Sequence, residues 1–192
     1  MTRLGDDLLD RLERFLETRP AISIDLPGHR PAAVIVPLIK TDSGLSVLFC
    51  QRSEDLSLHS GQIAFPGGGA DPGETMEATA LRETEEEIGL PRGQVQLIGR
   101  LDDLTTISGY VVAPFVGIIP SGFDYVLQTS EIVKAFEVPL EHLLSPSNLE
   151  VRYIAFRGTD YPSCFFHFDG IEIWGLTATI LKELLDAVRT VS

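Results

Sequence analysis

The sequence predicts an α+β fold, a mixed β-sheet flanked by helices, on three observations. Strand-like runs come in pairs separated by turn residues. Amphipathic helical segments stand at both ends. A strongly helical acidic segment interrupts the strands.

Taken in order, Leu4, Leu8, Leu12 and Phe15 recur at helical spacing with Leu9 and Leu16 beside them, while Asp6, Asp7, Arg11 and Glu13 are polar. This predicts a helix over about 4–17 that lays one stripe on the body. The runs AAVIVPLIK (32–40) and LSVLFCQR (45–52) read as a hairpin across Thr41-Asp42-Ser43-Gly44. A Gly-Pro-rich stretch around 66–73 precedes a helix over 75–88, and strands are expected at 95–101 and 110–119. The segment SEIVKAFEVPLEHLL (130–144) reads as helical up to Pro139. EVRYIAF (150–156) and CFFHFDGIEIWG (164–175) read as a hairpin turned at Asp169-Gly170, and a helix over about 176–188 closes the chain. No repeat or long linker divides residues 1–192, so one domain is expected.

The 192 residues carry 28 acidic and 15 basic side chains, a net charge of −13, with 44% hydrophobic and 22% charged residues. That composition is globular rather than disordered. The acidic balance argues against nonspecific nucleic-acid binding, which needs Lys and Arg to displace counterions, so an anionic small-molecule substrate would need local cations or a bound metal. Cys50 and Cys164 lie in apolar stretches and read as free core thiols. The acidic N-terminus does not resemble a signal peptide, and no apolar run approaches the ~20 residues of a membrane span, so a cytoplasmic protein is expected.

The chemistry concentrates in GGADPGETMEATALRETEEEIGL, residues 68–90. On a helix, Glu83, Glu86 and Glu87 fall on one face, and Leu81, Thr84 and Ile88 on another with Ala80 beside Leu81. Three converging carboxylates suit a hard cation, Mg²⁺ or Mn²⁺; an ordinary solvated acidic face is the alternative on spacing alone. No D-x-D-x-D-G calcium loop and no G-x-S-x-G nucleophile elbow occurs, and His29, His59, His142 and His167 are scattered.

Residues 68–90 resemble the Nudix box, G-x5-E-x7-R-E-U-x-E-E-x-G-U with U bulky and apolar, at Gly68, Glu74, Arg82, Glu83, Glu86, Glu87, Gly89 and Leu90. Thr84 departs from the usual aliphatic residue, though its hydroxyl can bond a carbonyl one turn back. The resemblance implies an α/β/α sandwich with a catalytic loop-helix-loop that hydrolyses a nucleoside diphosphate linked to another moiety. By carry-over the metal sits on Glu83, Glu86, Glu87 and the Gly68 carbonyl. Glu74 and Arg82 pair to hold the loop against the helix. Water activation falls to Glu83 or, outside the box, Glu131.

Upstream, LFCQRSEDLSLHSGQIAFPGG (48–68) resembles the segment L-L-T-x-R-[SA]-x3-R-x3-G-x3-F-P-G-G of coenzyme A diphosphatases at Leu48, Arg52, Ser53, Gly61, Phe65, Pro66, Gly67 and Gly68, with Ser57 in place of the second arginine. This implies coenzyme A or a derivative as substrate, with Arg52, Gln62, Gly67 and Gly68 at the binding site and 3′,5′-ADP and 4′-phosphopantetheine as products. ADP-ribose, a dinucleotide or a nucleoside triphosphate is the alternative within the superfamily. A noncatalytic Nudix-fold module that senses a nucleotide is the alternative of a different functional class. The chain carries no proline between Pro91 and Pro114, where ADP-ribose hydrolases tend to have one, and no S-Q-P-W-P-F-P segment of NADH diphosphatases.

Overall fold

The computed structural model describes residues 4–54, 60–156 and 158–192; Ser57 and His59 lie outside them. Helix α1 (Leu4–Thr18) leads to β1 (Arg30–Thr41) and β2 (Gly44–Arg52), which form the expected hairpin with Thr41 opposite Gly44. Two short strands follow, β3 (Ile63–Ala64) against β2 and β4 (Gly67–Gly69) against β1. Helix α2 (Met76–Ile88) comes next, then β5 (Gln96–Arg100), β6 (Leu104–Thr105) and β7 (Tyr110–Ile119). β7 runs parallel to β1, from Arg30 opposite Tyr110 to Ile39 opposite Ile119, while β5 and β6 pair antiparallel with β7.

β8 (Ile132–Pro139) completes this eight-stranded mixed sheet by pairing antiparallel with β2. This corrects the helix expected over 130–144: only α3 (Leu140–Leu144), after Pro139, is helical. Proline biases the residue before it away from helical backbone, and Ile132, Val133 and Val138 are β-branched. Phe136 faces Phe49 across the ladder with ring centroids 5.9 Å apart. The open edge of β2 thus outweighs a periodicity that reads as helix in isolation.

A second sheet holds β9 (Leu149–Phe156), β10 (Thr159–Phe168) and β11 (Ile171–Ile173) in the order β11-β10-β9. The Asp169-Gly170 turn joins β10 to β11, with φ of 47° and 78° that suit a two-residue type I′ turn. β9 pairs instead with β10 from Thr159 opposite Phe156 to Phe166 opposite Leu149. Helix α4 (Gly175–Val191) ends the chain.

Alternation along the central strands makes the layers. Val36 and Leu38 of β1 and Val47 and Phe49 of β2 face one way, into a core closed by Leu9, Leu12 and Leu16 of α1 and Leu181, Leu184 and Val188 of α4. Ala33, Ile35 and Ile39 face the other way, where Ala80 and Ile88 of α2 cover them. Small residues at Ala33, Ala80 and Ala113 let α2 lie close on the sheet, and all three are buried. The result is an α/β/α arrangement that clamps α2 against the middle of the sheet. Burying side chains such as Leu12 or Ile35 contributes ~1.5–3 kcal/mol each. Cys50 is buried and Cys164 half-buried, both as free thiols, and burial pushes the Cys50 thiol pKa upward.

Candidate active site

Helix α2 is held at both ends by its own sequence. Thr75 caps the N-terminus, its hydroxyl accepting from the Ala78 N–H at 3.2 Å, and Gly89 at φ 70° closes the C-terminus with its N–H on the Glu85 carbonyl at 3.0 Å. Thr84, the departure from the box pattern, is buried and donates to the Ala80 carbonyl at 2.7 Å, so its polar atom is satisfied. Past the last turn, the Val126 and Gln128 N–H groups donate to the carbonyls of Ile88 and Glu87 at 3.1 and 2.9 Å. The chain then reaches Glu131, whose carbonyl accepts the Ser53 N–H at 2.7 Å beside Arg52.

Arg82 organises the loop before the helix. Its Nε and Nη2 donate to the two oxygens of Glu74 at 3.0 and 2.9 Å, and Nη2 also reaches the Gly69 carbonyl at 3.0 Å. Glu74 further accepts from the Asp71 N–H at 3.1 Å and the Thr79 hydroxyl at 2.8 Å. These bonds pull the Glu74 carboxyl pKa down to about 2, with the Arg82 hydrogen bond the largest cause. Thr79 escapes the sequence reading, because it belongs to no motif; its position within the first turn, facing back toward Glu74, is the signal that identifies it.

The three box glutamates have different surroundings. Glu87 is only 3% exposed, and its Oε2 accepts the Gly67 N–H at 3.0 Å while Oε1 lies 3.7 Å from Arg52 Nη1. Burial, with the charges of Glu83 and Glu131, pushes its pKa up to about 8 against the lowering effect of Gly67 and Arg52. Glu83 lies against β4 so tightly that a Cβ on Gly68 would stand 2.5 Å from its Oε2. Its pKa is also raised, chiefly by burial and also by Glu86 and Glu131, although Arg82 Nη1 donates to it at 2.9 Å. Glu86 turns outward, with its side chain 58% exposed and its Oε2 3.2 Å from Arg82 Nη1.

Helical spacing predicts three converging carboxylates; here two converge on β4, because Arg82, one turn back, takes the third. Consistent with this, no three His, Cys, Asp or Glu side chains among the described residues form a ready-made metal cage. The donor chemistry nonetheless fits a hard cation. Glu83 and Glu87 lie at the β4 glycines and feel the charge of Glu131, with Arg52 as the cationic group lowering the Glu87 pKa. Gln62 is placed near by its carbonyl, which accepts the Arg52 N–H at 3.0 Å. Arg52 Nε is buried with no hydrogen-bond partner among the described residues, a donor at the end of β2.

Comparison with known proteins agrees with the geometry. The NUDIX domain family matches residues 28–156. The chain is similar to the protein named Uncharacterized Nudix hydrolase NudL of Photorhabdus laumondii, 39% identical over 184 residues that cover 95% of this chain and 97% of that one. Two solved structures share the fold. DR0079 from Deinococcus radiodurans superposes with a TM-score of 0.53 at 18% identity, covering 87% of this chain and 88% of the other. The Nudix hydrolase RenU of M. smegmatis superposes with a TM-score of 0.52 at 23% identity, covering 61% and 74%. The chain belongs to the Nudix hydrolase family, enzymes that use divalent metal ions to cleave pyrophosphate bonds in nucleoside diphosphate derivatives.

Proposed function

We propose that this enzyme hydrolyses the diphosphate bond of coenzyme A or its derivatives, releasing 3′,5′-ADP and 4′-phosphopantetheine. The observation that carries the reading is the segment from Leu48 to Gly68, whose Arg52 stands at 3.7 Å from Glu87 and has one buried guanidinium N–H with no partner among the described residues. A guanidinium so placed grips a phosphate through parallel hydrogen bonds and offsets its charge. Gln62 adds polar contacts beside it.

Mg²⁺ or Mn²⁺ would be held by Glu83, Glu86, Glu87 and the Gly68 carbonyl, Glu86 being paired with Arg82 in this structure. A cation bound there would supply Lewis-acid polarisation of the phosphate oxygens. The residues do the rest. Glu74 and Arg82 brace the loop so that the Gly68 carbonyl stays fixed. Glu83 or Glu131 takes the proton of the attacking water, which bonds to phosphorus as the bridging P–O bond breaks and two phosphomonoesters depart. No covalent nucleophile takes part.

The test is product identification by mass spectrometry with coenzyme A, ADP-ribose, NADH and dNTPs as parallel substrates. Release of 3′,5′-ADP and 4′-phosphopantetheine from coenzyme A as the fastest reaction supports the proposal. Faster cleavage of another substrate in the panel rejects it.

A further inference from the structure

The hairpin of β9 and β10 runs out past the core that anchors it. On its inner face Leu149 and Phe166 pack against the body, yet farther along the same face Val151 is 54% exposed and Tyr153 72% exposed. β9 is also the last strand of its sheet, with no neighbour on its outer side among the described residues. It carries no proline, lysine or bulge, three of the devices that discourage pairing at an open edge, and its two charges, Glu150 and Arg152, are of opposite sign.

The backbone direction at this edge follows from one residue. Tyr153 stands opposite Pro162, which has no N–H to give, so theirs is a non-hydrogen-bonded pair and the Tyr153 N–H and C=O point outward. By alternation those of Val151 point outward too, as does the Leu149 carbonyl.

We infer that β9 is a dimerisation edge, where the same strand of a second copy of this chain pairs antiparallel about a two-fold axis through Val151. Charge selects this register. Centred on Val151, Glu150 of each copy stands opposite Arg152 of the other, twice. Moving the axis by one residue, a slide of two between the strands, sets Glu150 against Glu150 or Arg152 against Arg152. Arg152 is already held in place within its own chain by Glu150 and Glu172, both at 2.7 Å. In this register Tyr153 also lies across from Leu149 of the other copy, which covers its exposed ring.

The test is the mass of the wild-type enzyme by sedimentation velocity at tens of micromolar, alongside Arg152→Glu, Glu150→Arg and their equimolar mixture, with circular dichroism to check folding. Wild type should have the mass of two copies. Each single variant sets like charges opposite one another and should weaken association by about tenfold or more. The mixture should regain the two-copy mass, because the acidic pair on the edge of one variant then faces the basic pair on the edge of the other; a hairpin that merely misfolds does not recover on mixing. A single-copy mass for wild type, variants that remain dimeric, or a mixture that stays monomeric each overturns the inference.

Discussion

Gly67 and Gly68 are neighbours in β4, yet an alanine at each meets a different obstacle. At Gly67, φ is 152°, and an added Cβ would stand 2.3 Å from the Ala33 carbonyl oxygen and 2.5 Å from the Val34 Cα. Backbone cannot swing aside as a side chain can, so β4 must peel from β1 or hold a strained conformation. Strain of ~1–3 kcal/mol together with the loss of one or two ladder bonds at ~1 kcal/mol each makes Gly67→Ala cost about 3 kcal/mol. At Gly68 the atoms nearest the Cβ are those of the Glu83 carboxylate, 2.5 Å away at the end of a flexible chain. Glu83 can rotate at a cost of ~0.5–1.5 kcal/mol, but its carboxylate then leaves its place beside Gly68. Gly68→Ala should therefore fold nearly as well as wild type while turnover falls by about 100-fold, the usual penalty for ångström-scale misplacement. Urea unfolding and metal-dependent phosphomonoester release read the two effects separately. Near-normal turnover in Gly68→Ala, or equal stability of the two variants, would refute the reasoning.

Other outcomes follow from the same geometry. Glu83→Gln and Glu87→Gln should each lower turnover by about two orders of magnitude while remaining folded by circular dichroism, since an amide is a weaker ligand for a hard cation; near-normal rates in both would remove these carboxylates from the site. In metal-free enzyme, the Glu87 pKa of about 8 lies above its ordinary 4.5, so the folded state holds a proton that the unfolded chain has lost. Its stabilisation is present below about pH 4.5 and is lost as pH rises through about 8; urea midpoints in EDTA should fall across that window, and Glu87→Gln should flatten the decline. Arg82→Lys keeps a charge but loses the two-pronged grip on Glu74, so it and Glu74→Gln should each lower kcat, and the double variant should fall no further than the worse single. Additive losses would show that the two residues act independently.

The acidic helix is legible in the sequence because its information is local: Thr75 starts it, Gly89 ends it, helical repeat sets the spacing of Arg82, Glu83 and Glu87, and Glu74 stands just before the cap. The β1–β2 hairpin and β7 are legible for the same reason, as alternating or continuous apolar runs bounded by turns. What escapes is decided at long range. Ile132–Pro139 becomes a strand because β2 offers an open edge. Glu87 is buried beneath Gly67 because β4 folds back onto β1, which no helical wheel shows. Glu86 faces outward because Arg82 competes for it, a contest between two box residues that spacing alone leaves undecided. Thr79 and the Gly69 carbonyl join Arg82 and Glu74 only once the loop has closed.

The proposed coenzyme A specificity rests on the Leu48–Gly68 segment. Its most direct test is kcat/KM for coenzyme A and for ADP-ribose, measured side by side with Mg²⁺ and with Mn²⁺. The value should be higher for coenzyme A under both metals, with 3′,5′-ADP as a product. A clear preference for ADP-ribose under both metals would contradict it.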